Sequence, residues 1–185
     1  MRRERLMLLT ISGEIGSGKS TIARLASTKL GYAYISGGDI FRDLAKEKGM
    51  TVDEFGALAE KEENIDRDLD RLLLDTLRKN RNMVVDSRLS GWLCFINDIN
   101  ALKVFVKAPL DIRVKRVMFR ENLPEKTVRA EIRAREQSEM KRYKQYYDID
   151  YSRTDIYNLI IDSGSRSAQE IADELYDRIS PGGKK

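Results

Sequence analysis

The sequence predicts an α/β domain in which a five-stranded parallel sheet is covered by helices on both faces. Three observations predict it. Short, nearly continuous apolar runs alternate with segments of helical periodicity through most of the 185 residues, as expected of strands buried on both faces of a parallel sheet. The first run leads directly into the glycine-rich turn Gly13-Glu14-Ile15-Gly16-Ser17-Gly18-Lys19-Ser20 and then into a helical pattern. The runs also finish in small or polar residues, Ser12/Gly13, Ser36/Gly37, Asp86/Arg88, Ala108 and Asp162/Ser163, which a parallel sheet would deliver to one crevice.

Taken in order, residues 6–12 read as the first strand and 19–30 as the first helix. Residues 32–36 are a second strand, and Asp39 is placed to cap the helix that begins at Ile40 and ends at Gly49. Thr51-Val52-Asp53-Glu54 has capping-box spacing and opens a further helix. Ile65, Leu69, Leu72, Leu73 and Leu77 then recur at helical spacing across 62–77. Three helices between two strands exceed a simple crossover, so 37–79 reads as a helical insert. Residues 83–86 and 102–106 are the next strands. Pro109 suits the start of a helix over 110–120, because its missing N–H is not needed there. Arg113, Arg116 and Arg120 fall on one face of that helix. After the break Asn122-Leu123-Pro124, a charged helix over 125–146 carries Arg135, Glu139 and Arg142 on one face. A polar turn, a strand over 157–162, and a terminal helix opened by the capping box Ser167 to Glu170 complete the domain, with 181–185 as a frayed tail. The expected organisation is a single domain over 1–185: a core of 1–36, 80–120 and 147–180, the insert 37–79 and a lid region 121–146.

Composition narrows the chemistry. One cysteine, Cys94, excludes an internal disulfide, and the absence of histidine leaves metal chemistry to oxygen ligands. No apolar stretch has the length of a membrane span, and a cleaved leader would remove the glycine turn, so a cytoplasmic setting is expected. The net charge of +4 arises from 34 basic residues interspersed with 30 acidic ones, a solvated surface with some cations gathered where anions bind.

Residues 13–20 spell G-x-x-x-x-G-K-S between a strand and a helix, which is a phosphate-binding loop. Its glycines let backbone N–H groups turn inward around a polyphosphate, and the N-terminus of the following helix points at the same charge. Lys19 can reach the β- and γ-phosphates, and the Ser20 hydroxyl is a hard ligand for Mg²⁺. Gly13 to Thr21 are thus the expected nucleoside triphosphate site, in a three-layer P-loop NTPase-type fold. A GTPase would need an Asn-Lys-x-Asp segment and an Asp-x-x-Gly switch, neither of which is present. An insert after the second strand and an arginine-rich helical hairpin late in the chain instead make two flaps over one crevice, as water exclusion from a reactive phosphoryl group requires.

Further segments carry a family resemblance over residues 6–180. Ser36-Gly37-Gly38-Asp39-Ile40-Phe41-Arg42, Asp86-Ser87-Arg88-Leu89-Ser90-Gly91-Trp92, and Arg135 to Arg142 resemble the corresponding stretches of nucleoside monophosphate kinases, in particular archaeal-type cytidylate kinases. The Gly-Trp pair is the most specific part of the match, whereas Ser87 and Gly37 replace other small residues. The resemblance implies transfer of the ATP γ-phosphoryl group to CMP or dCMP with Mg²⁺. Ser36, Gly38, Asp39, Arg42, Arg88, Arg135 and Glu139 would hold the acceptor. Lys19, Arg88, Arg120, Arg135 and Arg142 would act on the transferring group, Arg116, Asp162 and Ser163 on the donor, and Ser20 with Asp86 on the metal. The lid is too short and too poor in ligands for zinc.

Residue chemistry agrees, because in-line transfer between two anions needs positive charge and positioning, and the guanidinium fork supplies both. Arg42, read as a buried helix start, would need an anion. Arg113, Arg116 and Arg120 also fit a solvated face. Asp66 and Asp70 read most simply as surface partners of Arg67 and Arg71, although either could receive a cytosine amine. Trp92 and Cys94 read as packing residues. A monomer acting on small molecules, without nucleic acid or membrane, is the expectation. Kinases of AMP or of a metabolite alcohol, and a P-loop ATPase using helix 125–146 on RNA, are the alternatives.

Overall fold

The computed structural model describes residues 7–180, so Leu6 at the start of the first predicted strand and the 181–185 tail lie outside the described residues. The order is β1 (Leu8–Gly13), α1 (Lys19–Leu30), β2 (Ala33–Ser36), α2 (Gly37–Glu47), α3 (Val52–Ala59), α4 (Glu63–Lys79), β3 (Met83–Asp86), α5 (Ser90–Ile96), β4 (Ala101–Lys107), α6 (Leu110–Glu121), α7 (Glu125–Tyr147), β5 (Leu159–Asp162) and α8 (Ala168–Ile179). All pairings are parallel, in the order β2-β3-β1-β4-β5. The central strand β1 has a neighbour on each side reached by crossovers of opposite sense, so the loop after it sits at the switch point where open parallel sheets bind ligands. The register sets Ser36 beside Asp86 and Asp86 beside Ile11, bringing the polar strand ends level.

Every residue of β1 is buried, because both faces are covered. Leu9, Ile11, Val84, Val104 and Val106 pack under α1 and α8. Leu8, Val85 and Phe105 face Leu73 and Leu77 of α4, Leu93 of α5, and the tyrosines Tyr143 and Tyr157. A smaller cluster joins Ile15 of the glycine loop to Val114 and Val117 of α6 and Val128 and Ile132 of α7. The α6–α7 hairpin is therefore rooted on the glycine loop itself.

Both capping boxes form as the spacing predicts, Thr51 with Glu54 and Ser167 with Glu170. The α2 cap differs from expectation. Ser36, still extended, accepts the Asp39 N–H at 3.1 Å, so the helix starts three residues earlier and Asp39 is its first-turn acid. Helix α5 was not foreseen. Its Ser-Gly-Trp-Leu-Cys-Phe-Ile run has no polar face to mark a helical period, because Ser90 to Cys94 are all buried. Gly91 lies so close to Tyr157 that a Cβ there would come within 2.3 Å of the ring. Trp92 and Cys94 are packing residues.

Candidate active site

One cavity of about 840 Å³ opens at the carboxyl ends of the strands, between the glycine loop, the helical insert and α7. The loop holds its shape by close approach and by bonds from other elements. A Cβ on Gly13 would fall 2.1 Å from the Val106 carbonyl oxygen, and Gly16 has φ +76, so only glycine fits either position. The Glu14 carboxylate accepts the Ala108 N–H at 3.0 Å and pairs with Arg113, turning away from the cavity to tie the loop to the end of β4. Arg113 is almost fully buried. It donates to the carbonyls of Ala108 (3.0 Å) and Ile15 (3.1 Å) and to Glu136 on α7 (2.7 Å), which makes it a brace between the loop and α7, in place of the solvated face its spacing also allowed.

Arg116 braces the loop from the other side. Its guanidinium donates to the Ser17 carbonyl at 3.1 Å and to the Ser163 hydroxyl and carbonyl at 3.0 and 2.7 Å. Buried Ser163 in turn donates to the Ser17 carbonyl at 2.6 Å, and Asp162 accepts the Gly164 N–H at 2.8 Å. The loop after β5 is thereby locked to the glycine loop.

Ile15, Gly16, Lys19, Ser20 and Thr21 line one side of the cavity, and Asp86 and Arg88 stand at its sheet end. Burial pushes the Lys19 ammonium down to about 8, against the opposing pull of Asp86, so little solvent shields its charge. Arg88 donates to the Gly13 carbonyl and pairs with Glu139 at 2.9 Å. Burial works against its charge, but Glu139, together with Tyr151, Tyr143 and Glu136, more than offsets it and holds the guanidinium protonated. Asp86 is 1% exposed; Oδ2 accepts from Tyr34 at 3.2 Å and Oδ1 has no partner among the described residues. An orphaned carboxylate oxygen in a cavity that Ser20 also lines fits a hard cation such as Mg²⁺, which Asp86 and Ser20 would help to hold, since no group of three acidic, histidine or cysteine side chains exists among the described residues to cage a metal alone.

The insert and α7 supply the other wall. Gly37, Gly38 and Arg42 line it from α2, and Arg135, Glu139 and Arg142 from α7. Ser36 lies beneath as the α2 cap. Arg42 is exposed, not buried; it rests on Asp39, which Arg24 also holds at 2.7 Å. Arg120 is exposed at the rim. Arg135 points toward Asp53 of α3 at 3.9 Å. Arg142 is turned onto α4, where one terminal nitrogen bonds both Asp66 oxygens at 2.6 and 2.7 Å. Asp66 and Asp70 are buried at 5% and 8% exposure, which overturns the surface-pair reading. Arg67 pairs with Glu63 and Arg71 with Asp68 instead. Sequence reasoning missed these acids as buried groups, and its signal for them was only their one-turn spacing toward the same side as Leu69 and Leu73.

Comparison with known proteins fits this geometry. Residues 8–165 match the cytidylate kinase-like family. A cytidylate kinase of Archaeoglobus fulgidus is 44% identical over 173 residues, covering 94% of each chain. That of Halobacterium salinarum is 42% identical over 173 residues, covering 94% of this chain and 89% of the relative. Among solved structures, a gluconokinase from Sinorhizobium meliloti superposes with a TM-score of 0.62 at 14% identity, over 97% of this chain and 94% of that one. A shikimate kinase from Bacteroides thetaiotaomicron gives 0.61 at 15%, over 94% and 98%. These two share the fold.

Proposed function

The chain belongs to the cytidylate kinase-like family, and from that premise we propose that it transfers the γ-phosphoryl group of ATP to CMP or dCMP, giving ADP and CDP or dCDP. One observation carries the reading: a single cavity joins a phosphate-binding loop on one side to an arginine-bearing insert wall on the other. Two polyanions can meet there end to end, and positioning with charge neutralisation is most of what such transfer needs. Lys19 and the loop N–H groups hold the donor phosphates; Arg42, Arg88 and Arg135 draw the acceptor phosphate toward them. Arg120 closes from the rim. Ser20 and Asp86 would hold Mg²⁺, which when bound neutralises charge on the donor phosphates. In this reading 37–79 is the acceptor-binding insert and 121–146 the lid of one monomeric, cytoplasmic enzyme. No described helix is long and apolar enough to cross a membrane.

ADP release measured by a coupled assay, with ATP and Mg²⁺ and each of CMP, dCMP, UMP and AMP, tests the proposal. CMP and dCMP should be preferred. AMP as the best acceptor would move the activity to that of an adenylate kinase, and ADP release independent of every acceptor would contradict a kinase.

A further inference from the structure

Two acids in a cavity built for phosphates call for a chemical reason. Uncompensated carboxylates repel phosphate and resist burial, yet Asp66 and Asp70 sit one turn apart on α4, both buried and both lining the cavity. Asp66 is matched by Arg142, which bonds both of its oxygens. Asp70 has no cation bonded to it. Its Oδ2 accepts from the Tyr147 hydroxyl at 2.7 Å, and among the described residues Oδ1 takes no hydrogen bond. Beside it, the Nε donor of Arg142 is buried without a partner. Phe41, Val52, Ala57 and Leu69 are apolar residues lining the same cavity, and the Arg142 guanidinium lies over the Phe41 ring at 5.8 Å.

An unused acceptor and an unused donor in a partly apolar cavity match a flat heterocycle edge that offers a donor next to an acceptor. We propose that Asp70 is a specificity-determining residue that accepts the exocyclic amine of the acceptor pyrimidine, while Arg142, held by Asp66, donates to the adjacent ring nitrogen. The inference rests on the cytidylate kinase reading and adds which side chains choose the base. Uracil presents a carbonyl to Asp70 and an N–H to Arg142, leaving both polar groups wrongly paired in a buried site, a mismatch that costs far more than a missing methylene. The amino edge of adenine has the same order of donor and acceptor, so purines are rejected by size alone.

Protonation supplies a second handle. Burial pushes the Asp70 carboxyl up to about 7. The groups around it are Asp66 on α4, and Arg142 and Tyr147 on α7. From the neighbouring elements, Glu60 after α3 is bonded to Lys141, and Arg42 on α2 rests on Asp39. A protonated Asp70 can turn its O–H toward the uracil carbonyl, whereas an ionised one cannot. Discrimination against uracil therefore rises as the proton leaves.

The test measures kcat/KM for CMP and UMP with wild type and Asp70→Asn, with KM for ATP and thermal melting as controls. An amide keeps an acceptor and gains a donor, so it can turn to suit either base. The expected result is a fall in the CMP/UMP ratio of roughly 10²-fold or more, with KM for ATP unchanged. In wild type the ratio should climb between about pH 6 and 8, a reading that needs no variant and in which effects of pH on the shared phosphate cancel. An unchanged ratio in folded Asp70→Asn, equal losses on both nucleotides as a ribose contact would give, or a ratio flat with pH would overturn the assignment while CMP activity stands. Wild type inactive on CMP would remove both the assignment and the reading beneath it.

Discussion

At the residue scale, Lys19 carries the clearest commitment, a charge kept half-buried at the mouth of a helix where only an anion gives it a purpose. Lys19→Ala should leave the fold intact, because the side chain lines the cavity outside the apolar clusters. Turnover should fall on the order of 10²-fold or more; steady-state kinetics together with circular dichroism check both halves, and near-normal turnover would show that the loop is not the donor site. Asp70 gives a stability test of opposite character. Its folded pKa of about 7 lies above the ordinary 3.8, so between those values the native state binds more protons than the unfolded one. Stability from this group is then present below pH 4 and is lost as pH rises through about 7. Asp70→Asn should accordingly melt higher than wild type at about pH 8, by at least ~2 °C if the relieved burial is worth ~1 kcal/mol, and the gain should shrink toward about pH 4. Melting curves across that range decide it, and a gain that is constant with pH would contradict the buried, ionisable state of Asp70.

At the scale of elements, the capping boxes separate core from insert. Ser167→Ala removes the hydroxyl that accepts the Glu170 N–H at 3.2 Å and should cost about 1 kcal/mol, lowering the melting temperature by about 2–4 °C. Since α8 packs on α1 at the sheet face away from α4 and α5, kcat should be unchanged; a change in kcat would show that α8 is coupled to the site. Elements with strong periodicity or a local cap were legible in the sequence, as α3, α4 and α8 show. Helix α5 was not, because its buried run carries no polar face, and the start of α2 was misplaced because Ser36 and Asp39 both have capping chemistry. The site divided the same way. The glycine loop could be read from local spacing, and Asp86 and Arg88 from their place at a strand end together with the family resemblance of 86–92. Asp66 and Asp70 could not, because Arg67, Arg71 and Asp68 around them form an exposed ladder, and what distinguishes the buried acids are their partners on α7, Arg142 for Asp66 and Tyr147 for Asp70, 76 and 77 residues away. Arg113 likewise looked like one of three equivalent arginines until Ile15 and Glu136 met it from distant segments.

At the scale of the whole molecule, two flaps share one root. Glu136 and Glu139 on α7 each grip an arginine that also holds the glycine-loop backbone, Arg113 and Arg88, while Lys141 and Arg135 of the same helix reach α3 and the turn after it. The insert and the α6–α7 hairpin are therefore both tied to the glycine loop through one helix. Hydrogen exchange should show added protection in 37–79 and 121–135 only when both substrate sites are filled, as by a bisubstrate analogue, and equal protection in the free protein would contradict closure. The central claim is that one cavity brings the donor and acceptor phosphates into contact for direct transfer. The most direct measurement follows label from [γ-³²P]ATP in the presence of CMP and Mg²⁺. The account predicts label in the β-phosphate of CDP in step with ADP formed, with little in inorganic phosphate; label released to phosphate at the same rate with or without CMP would contradict it.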